Sequence, residues 1–165
     1  MLALNNAHAE QTSLLDADRL SHMLAIAFHV GTVGEPDDCQ PGTLDAFLIA
    51  FDQDAPYGSP NFLWLRARHA RFVYVDRIVT APGARGLGHA AGLYRTLFDK
   101  ARAAGHDRIL CEVNLHPPNP GSDAFHLRLG FDEIGRATLP GDKTVRYLKR
   151  DLLAGSPSGS VKPSP

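Results

Sequence analysis

Cysteine and net charge are both scarce in this chain. Its 165 residues include two cysteines, Cys39 and Cys111, which stand far apart and outside any metal-binding spacing. The net charge of −1 provides no general attraction to nucleic acid or to an anionic membrane. No apolar run approaches the ~20 residues that span a bilayer, and the N-terminus lacks the basic start and apolar stretch of a secretory signal. We therefore expect a cytoplasmic protein with no nucleic-acid or membrane partner.

Two common site patterns are missing as well. The eight histidines show neither the HxxxH nor the HExxH arrangement of metal sites, so the sequence predicts no metal. No Lys-Ser or Lys-Thr follows the glycine pair at positions 86 and 88, which excludes a P-loop. The candidate chemistry of the chain therefore depends on other residues.

Length and composition predict one globular domain with a short tail. An apolar fraction of 44% and a charged fraction of 21% are ordinary for a globular fold, and the chain is short for two domains. The last twelve residues, AGSPSGSVKPSP, contain little that could be buried. We expect a domain over 1–153 and a disordered tail over 154–165.

Hydrophobic periodicity indicates alternating strands and helices. The stretch RFVYVDRIVT, at 71–80, is rich in β-branched and aromatic residues and is the clearest strand. The order of elements is typical of an α/β layered domain. Strands are expected at 2–5, 44–51, 71–80, 108–114, 131–138 and 143–150, and helices at 15–29, from 59–60 onward, at 88–104 and at 119–129, with a loop at 30–43 that has room for a weak strand.

The stretch APGARGLGHAAGLYR, at 81–95, joins the clearest strand to a helix through a glycine-rich turn. The free amides and the positive dipole end at the start of a helix bind phosphate oxygens well. Gly86 and Gly88 would let the backbone approach a diphosphate closely, and Arg85 could add a charge-assisted contact. The turn therefore predicts a ligand that carries phosphate.

Two other interpretations of this turn stay open from the local sequence alone. Residues 86–91 match the G-x-G-x-x-A form of a dinucleotide-binding turn, and Glu112 closes the next strand as a ribose-binding acid would. A glycine turn before a helix also occurs without any ligand. The choice between these interpretations depends on the wider sequence.

Two motifs give the chain a wider resemblance. The first combines Arg85, Gly88 and Ala90 and follows Pro82 by three residues. The second begins about 30 residues later. Its members are Asn119, Ser122, Phe125, His126 and the Leu-Gly-Phe run at 129–131. Their order and spacing resemble the acetyl-CoA signature of the GNAT superfamily of N-acetyltransferases, in particular a bacterial branch of predicted acetyltransferases, and the resemblance covers most of 44–150.

The resemblance implies a GNAT-type fold, with a mixed, mostly antiparallel central sheet flanked by helices and with splayed central strands. It also implies direct transfer of an acetyl group from acetyl-CoA to a small-molecule or peptide amine. The alternative is a non-catalytic acyl-CoA-binding regulatory module on the same fold. We expect a monomer or a homodimer. The residues implied in cofactor binding are Val79, Thr80, Arg85, Gly86, Leu87, Gly88, His89, Ala90, Asn119 and Ser122.

His126 departs from the family pattern, which has a tyrosine at this position that is often proposed as the general acid. Histidine can donate a proton to a leaving thiolate, and its usual pKa near 6.5 suits proton transfer. The alternative is that His126 packs or hydrogen-bonds within its helix. Tyr94 is a less favoured substitute, because it lies among the core positions of the preceding helix.

Two carboxylates, Glu112 and Asp76, are candidates for the general base that deprotonates the amine. A carboxylate among apolar strand residues is usually functional or paired, and Arg77 or Arg108 would serve as a partner. Ordered water without an essential carboxylate is the other alternative. Strand alternation predicts one face with Leu110, Glu112 and Asn114 and another with Tyr74, Asp76, Ile78 and Thr80.

The acceptor side is less well defined by the sequence. A cluster of aromatic residues would either line a substrate groove or belong to the core: Tyr57, Phe62 and Trp64. A set of acidic residues would either favour a cationic amine or form a solvated loop: Asp37, Asp38, Asp52 and Asp54. Cys111 is expected to be a small core residue, because a catalytic cysteine would need partner residues that the sequence lacks.

Overall fold

The computed structural model describes residues 1–34, 44–141 and 143–152. The helices of these ranges are α1 (Leu2–Asn6), α2 (Ala9–Thr12), α3 (Ala17–Ile26), α4 (Pro60–Arg66), α5 (His89–Ala103) and α6 (Pro120–Arg128). The strands are β1 (His29–Val33), β2 (Ala46–Asp52), β3 (Val73–Thr80), β4 (Arg108–His116), β5 (Asp132–Thr138) and β6 (Thr144–Asp151). No helix within these ranges is both long enough and apolar enough to cross a membrane. The predicted tail, 154–165, lies outside the described residues.

The predicted elements are present except at the N-terminus. The strand expected at 2–5 is wrong, because this segment forms α1. Leucine and alanine favour a helix, and the fully buried Asn5 is held by a hydrogen bond from its Nδ2 to the carbonyl of Ser13. The helix expected at 15–29 is shorter at both ends. The Asp16 side chain caps it by accepting from the amide of Arg19 at 2.7 Å, and the chain enters β1 at its other end.

The six strands form one sheet in the order β1-β2-β3-β4-β6-β5. Every neighbouring pair is antiparallel except β3 and β4, which are parallel. These two central strands pair only where Val73–Val75 lie beside Ile109–Cys111, and beyond that point they separate. The structure thus confirms the expected fold class, including the splayed central strands.

Apolar residues cover both faces of this sheet. On one face, α3 and α4 contribute Met23 and Phe62 to a cluster that includes Phe47 of β2. On the other face, α5 contributes Leu97 to a second cluster that includes Val75 of β3. Covering on both sides explains why β2 is a continuous apolar run with six of its residues buried, rather than an alternating one.

An irregularity in β3 changes which of its side chains share a face. Ile49 of β2 pairs with Arg77, whereas the next residue, Ala50, pairs with Val75, so Asp76 is the extra residue of a β-bulge. The predicted common face of Tyr74, Asp76, Ile78 and Thr80 is therefore wrong beyond Asp76. Val79 packs in the same cluster as Tyr74, and Ile78 packs against the opposite one.

Candidate functional site

A cleft of about 1130 Å³ opens where β3 separates from β4. Its walls are the glycine-rich turn, the first turns of α5 and α6, and the N-terminal segment. The predicted cofactor residues that line it are Val79, Thr80, Arg85, Gly86, Gly88, His89, Ala90, Asn119 and Ser122. Leu87 is the exception, because it does not line the cleft and its side chain is 67% exposed.

The glycine-rich turn leaves its backbone open to the cleft. Gly86 and Gly88 adopt φ angles of +79° and +84°, which residues with a Cβ rarely adopt. Apart from the adjacent residues, no atom of the described part of the chain lies within 4 Å of the position that a Cβ would take at either glycine. Gly88 is also the N-cap of α5 and offers no side chain to the first amides of the helix. These amides, with Arg85 beside them, suit the binding of a diphosphate.

The start of α6 forms the opposite wall of the cleft. Asn119 is the N-cap, and its Oδ1 accepts from the amide of Ser122 at 3.2 Å, which confirms the predicted cap. The same two residues line the cleft, so the cap places polar side chains beside the space for the cofactor.

His126 is 2% exposed and lines neither this cleft nor the second cavity described below. Its Nδ1 donates to the carbonyl oxygen of Ser122 at 2.8 Å, and its Nε2 lies 2.8 Å from the hydroxyl of Tyr94. A proton on Nδ1 leaves Nε2 to accept from this hydroxyl, so a neutral ring satisfies both contacts. Burial also lowers the pKa of His126. This geometry favours the packing alternative over proton donation.

A second cavity, of about 400 Å³, adjoins the cleft. Thr12 lines both spaces, and β3 contributes Asp76 and Arg77 to the second cavity and its next three residues to the cleft. Both carboxylates proposed as bases, Asp76 and Glu112, line this cavity. The fold therefore brings the predicted base residues together beside the predicted cofactor site.

Asp76 is committed to a buried hydrogen-bond network. Its carboxylate accepts from the hydroxyl of Tyr57 at 2.6 Å and from Nε of Arg77 at 2.7 Å. The Asp76 and Arg77 side chains are 6% and 2% exposed. Arg77 in turn donates through Nη1 to Oδ1 of Asn5 at 2.7 Å. Burial and the charge of Asp76 raise the pKa of Tyr57 well above its usual range, so Tyr57 remains a hydrogen-bond donor.

Glu112 has a different environment from Asp76. Its Oε1 accepts from Nδ2 of Asn61 at 2.8 Å, and Oδ1 of Asn61 accepts from the hydroxyl of Tyr147 at 3.0 Å. Its Oε2 is buried and has no hydrogen-bond partner among the described residues. Burial, reinforced by the nearby charge of Asp76, raises the pKa of Glu112 from its usual 4.5 to about 8. Such a carboxyl can exchange a proton near neutral pH.

Several lining residues were missed by the sequence analysis. Asn61 lies one residue inside α4, and nothing in its sequence context indicates that it contacts Glu112. The N-terminal segment was expected to be a strand, yet it lines the cleft through Asn6 and His8, among others. Nε2 of His8 is buried without a hydrogen-bond partner among the described residues. Burial and the neighbouring charge of Arg85 lower the pKa of His8.

The other acceptor candidates are divided between cavity and core. Tyr57 lines the second cavity, whereas Trp64 stacks on Tyr147 with ring centroids 3.9 Å apart. Asp52 and Asp54 line neither space, and positions 37 and 38 lie outside the described residues. The described part of the chain contains no group of three or more His, Cys, Asp or Glu side chains that could hold a metal ion.

Cys111 is a buried core residue, as expected. It is 2% exposed and packs in the cluster under α5. Burial raises the pKa of its thiol well above the usual value, which disfavours the nucleophilic thiolate.

Comparison with known proteins gives consistent matches. Residues 21–131 match the model of the acetyltransferase (GNAT) family. A curated relative, phosphinothricin N-acetyltransferase of Streptomyces coelicolor, is 32% identical over 101 residues, which cover 61% of this chain and 53% of the relative. The chain thus spans about half the length of that relative.

Two solved structures share the fold over nearly the whole chain. Ribosomal-protein-alanine N-acetyltransferase from Brucella melitensis has a TM-score of 0.63 and 19% identity, with 91% of each chain covered. The NatB acetyltransferase complex bound to CoA and MES has a TM-score of 0.65 and 12% identity, covering 91% of this chain and 92% of that one. At these identities the likeness supports the sheet order and the flanking helices described above.

Proposed function

Because the chain belongs to the acetyltransferase (GNAT) family, we propose that it transfers the acetyl group of acetyl-CoA directly to an amine held in the second cavity. The matched region is an acetyltransferase domain, the enzyme class that the two motifs predicted, and the donor of this family is acetyl-CoA. The observation that carries the proposal is the junction of the two cavities at Thr12 and along β3.

The residues of the cleft fit the cofactor. The turn offers the open glycine backbone and the first amides of α5 to the diphosphate, with Arg85 as a charged partner. The β3 residues Val79 and Thr80 lie where this strand has left β4, so their backbone groups on that side are available to pantetheine. Asn119 and Ser122 complete the polar wall.

The chemistry requires a neutral amine at the end of the cleft. Acetyl-CoA supplies an activated thioester. The amine nitrogen forms a bond to the acetyl carbonyl carbon, the carbon–sulfur bond breaks, and CoA leaves as a thiolate. We assign the removal of the amine proton to Glu112, directly or through one water, because its pKa of about 8 lies close to neutral pH.

Asp76 has a positioning role in this proposal. Both of its oxygens already accept hydrogen bonds, from Tyr57 and from Arg77. Its negative charge helps to keep the pKa of Glu112 high, since it opposes a second charge nearby. The two predicted carboxylates thereby take different roles, one exchanging a proton and the other shaping the cavity.

Binding and turnover test this proposal together. Titration calorimetry with acetyl-CoA is expected to show saturable binding, and a thiol-release assay with a panel of amines is expected to show acetylation of at least one. Failure to bind acetyl-CoA at high micromolar concentration would contradict the proposal. Binding without turnover of any amine would instead favour the regulatory module.

Glu112→Gln tests the assigned base. Glutamine can keep the hydrogen bond from Asn61 but cannot take the proton, so kcat should fall about 100-fold or more while the Kd for acetyl-CoA is unchanged. In the unchanged protein the rate should rise with pH up to about 8, as Glu112 becomes ionised, and the variant should lack this inflection. Glu133→Gln, on β5 and outside both cavities, is the control. A variant with normal kcat would leave water as the base.

A further inference from the structure

The second cavity contains more positive charge than its carboxylates balance. Its cationic lining residues are Arg19, Arg77 and Lys143, and its acidic ones are Asp76 and Glu112. Arg77 and Asp76 form an ion pair at 2.7 Å and neutralise each other. The balance of the cavity therefore depends on the remaining three residues.

Glu112 can balance at most one of the two remaining cations, Arg19 and Lys143. Burial raises the pKa of its carboxyl, which reduces its negative charge further. Arg19 and Lys143 then remain as positive charges without an equal negative charge from the lining residues. This excess indicates a ligand that brings negative charge of its own.

Arg19 and Lys143 reach the cavity from separate elements. Arg19 lies on α3 and is exposed, and Lys143 precedes β6 and is half-buried. Neither forms an ion pair with any other residue that the structure describes. Their charges nevertheless act within the cavity. The pKa of Tyr57 is raised mainly by burial, but Arg19 opposes that rise, and Lys143 opposes the rise of the pKa of Glu112 in the same way.

Arg19 and the carboxylates lie at different depths. Asp76 and Glu112 belong to the central strands beside the cleft, and the Asp76 side chain is nearly buried. Arg19 is exposed on a helix that covers one face of the sheet. An acceptor with its amine toward the strands would therefore place its other end near the cations.

We propose that the acceptor is a small amine that also bears a carboxylate or another oxyanion, with free α-amino acids as the simplest case, and that Arg19 and Lys143 bind this anionic group. Guanidinium and ammonium groups are strong partners for oxyanions. A volume of about 400 Å³ suits a molecule of that size. The inference rests on the proposed function, since it names the substrate class of the same site.

Acetylation of matched amines tests this substrate class. The panel consists of free L-amino acids, the α-carboxamide of each, and two amines without an anion, spermidine and 2-phenylethylamine. The best free acid is expected to exceed its own amide in kcat/KM by at least about tenfold, the loss associated with removing one charge-assisted hydrogen bond. Equal rates for acid and amide, or a preference for spermidine, would overturn the inference while leaving the acetyltransferase function intact.

Two variants test whether Arg19 and Lys143 cause the preference for the free acid over its amide. Arg19→Gln and Lys143→Gln should each raise KM for the free acid about tenfold and leave the KM of the amide and acetyl-CoA affinity unchanged. Arg95→Gln, an exposed arginine of α5 that lines neither cavity, is the matched control and should change nothing. Equal effects on acid and amide would overturn the assignment. Absence of turnover with every amine would overturn the proposed function and this inference with it.

Discussion

At the residue scale, Glu112 and His126 show how a side chain's surroundings select its role. Both were candidates for proton transfer on the basis of residue type. Glu112 lies at a cavity with one oxygen free of partners, and burial raises its pKa to about 8. His126 has both ring nitrogens engaged inside the helix layer and is almost fully buried. In our proposal, a side chain able to carry a proton therefore serves catalysis at Glu112, whereas the surroundings of His126 favour packing.

His126→Phe distinguishes packing from catalysis. The change removes a buried hydrogen bond and leaves the Tyr94 hydroxyl without its partner, so the free energy of unfolding should fall by about 1–3 kcal/mol. The kcat should stay close to that of the unchanged protein. Urea unfolding and initial rates measure the two quantities.

Tyr94→Phe provides the matched comparison, because it removes the same hydrogen bond from the other side. The double variant should lose less stability than the sum of the two single losses. A large fall in kcat for His126→Phe, with stability retained, would restore the role of proton donor.

At the scale of elements, the cleft and the second cavity depend on one bulge and two helix starts. The bulge at Asp76 brings this residue and Arg77 to the same cavity, although they are neighbours in a strand. The start of α5 is left open by Gly88, and the start of α6 is capped by Asn119. Each of these features involves only a few residues, but the fold brings them to two adjoining cavities.

Gly88→Val should weaken acetyl-CoA binding. The glycine has a φ of +84°, a conformation that costs a residue with a Cβ roughly 1–2 kcal/mol, and the added side chain would enter the open space at the turn. The Kd measured by calorimetry should rise about tenfold or more, which corresponds to about 1.4 kcal/mol.

Gly92→Ala in the same helix is the control. Gly92 does not line the cleft, and the nearest atom to an added Cβ is Nη2 of Arg95 at 3.8 Å. The affinity of the Gly92→Ala variant for acetyl-CoA should be unchanged, and its free energy of unfolding should rise by up to about 1 kcal/mol. Unchanged affinity in Gly88→Val would mean that the diphosphate binds elsewhere.

At the scale of the whole molecule, the N-terminal segment closes a site that the central sheet leaves open. Residues 1–20 lie before the region matched by the family model. Helices α1 and α2 nevertheless line the cleft, and Thr12 stands where the two cavities meet. Asn5 anchors the segment through its bond with Arg77, across 72 positions of sequence.

Asn5→Leu should loosen this anchor. Leucine fills a similar volume but leaves Nη1 of the buried Arg77 without its partner, so the free energy of unfolding should fall by about 2–3 kcal/mol. Acetyl-CoA affinity should fall as well, because lining residues lose their support. Hydrogen exchange over 1–12 and calorimetry measure the two effects.

Ala3→Ser, an exposed change in the same helix, is the comparison variant and should leave both quantities unchanged. Asn5→Leu could lower the free energy of unfolding without changing hydrogen exchange over 1–12 or the affinity for acetyl-CoA. The N-terminal segment would then be only a structural support.

Much of the fold and of the cofactor site could be predicted because the signals are local. The glycine pair, the helix that follows and the Asn119 cap lie within short stretches, where neighbouring residues determine backbone conformation. Apolar runs likewise predicted β2, β3 and β4 to within a few residues. The order of the motifs then predicted the family and, with it, the splayed sheet.

The acceptor side and the roles within it were decided by tertiary structure. The bond between Asn61 and Glu112 joins positions 51 apart, and the pKa of Glu112 depends on burial that several elements provide. The sequence by itself determined the glycine-rich turn that we propose binds phosphate and the fold around it, because these follow from local backbone preference and hydrophobic pattern. Only tertiary structure decided which carboxyl is held by Tyr57 and Arg77 and which has a raised pKa, because solvent exclusion and long-range partners are properties of the packed molecule.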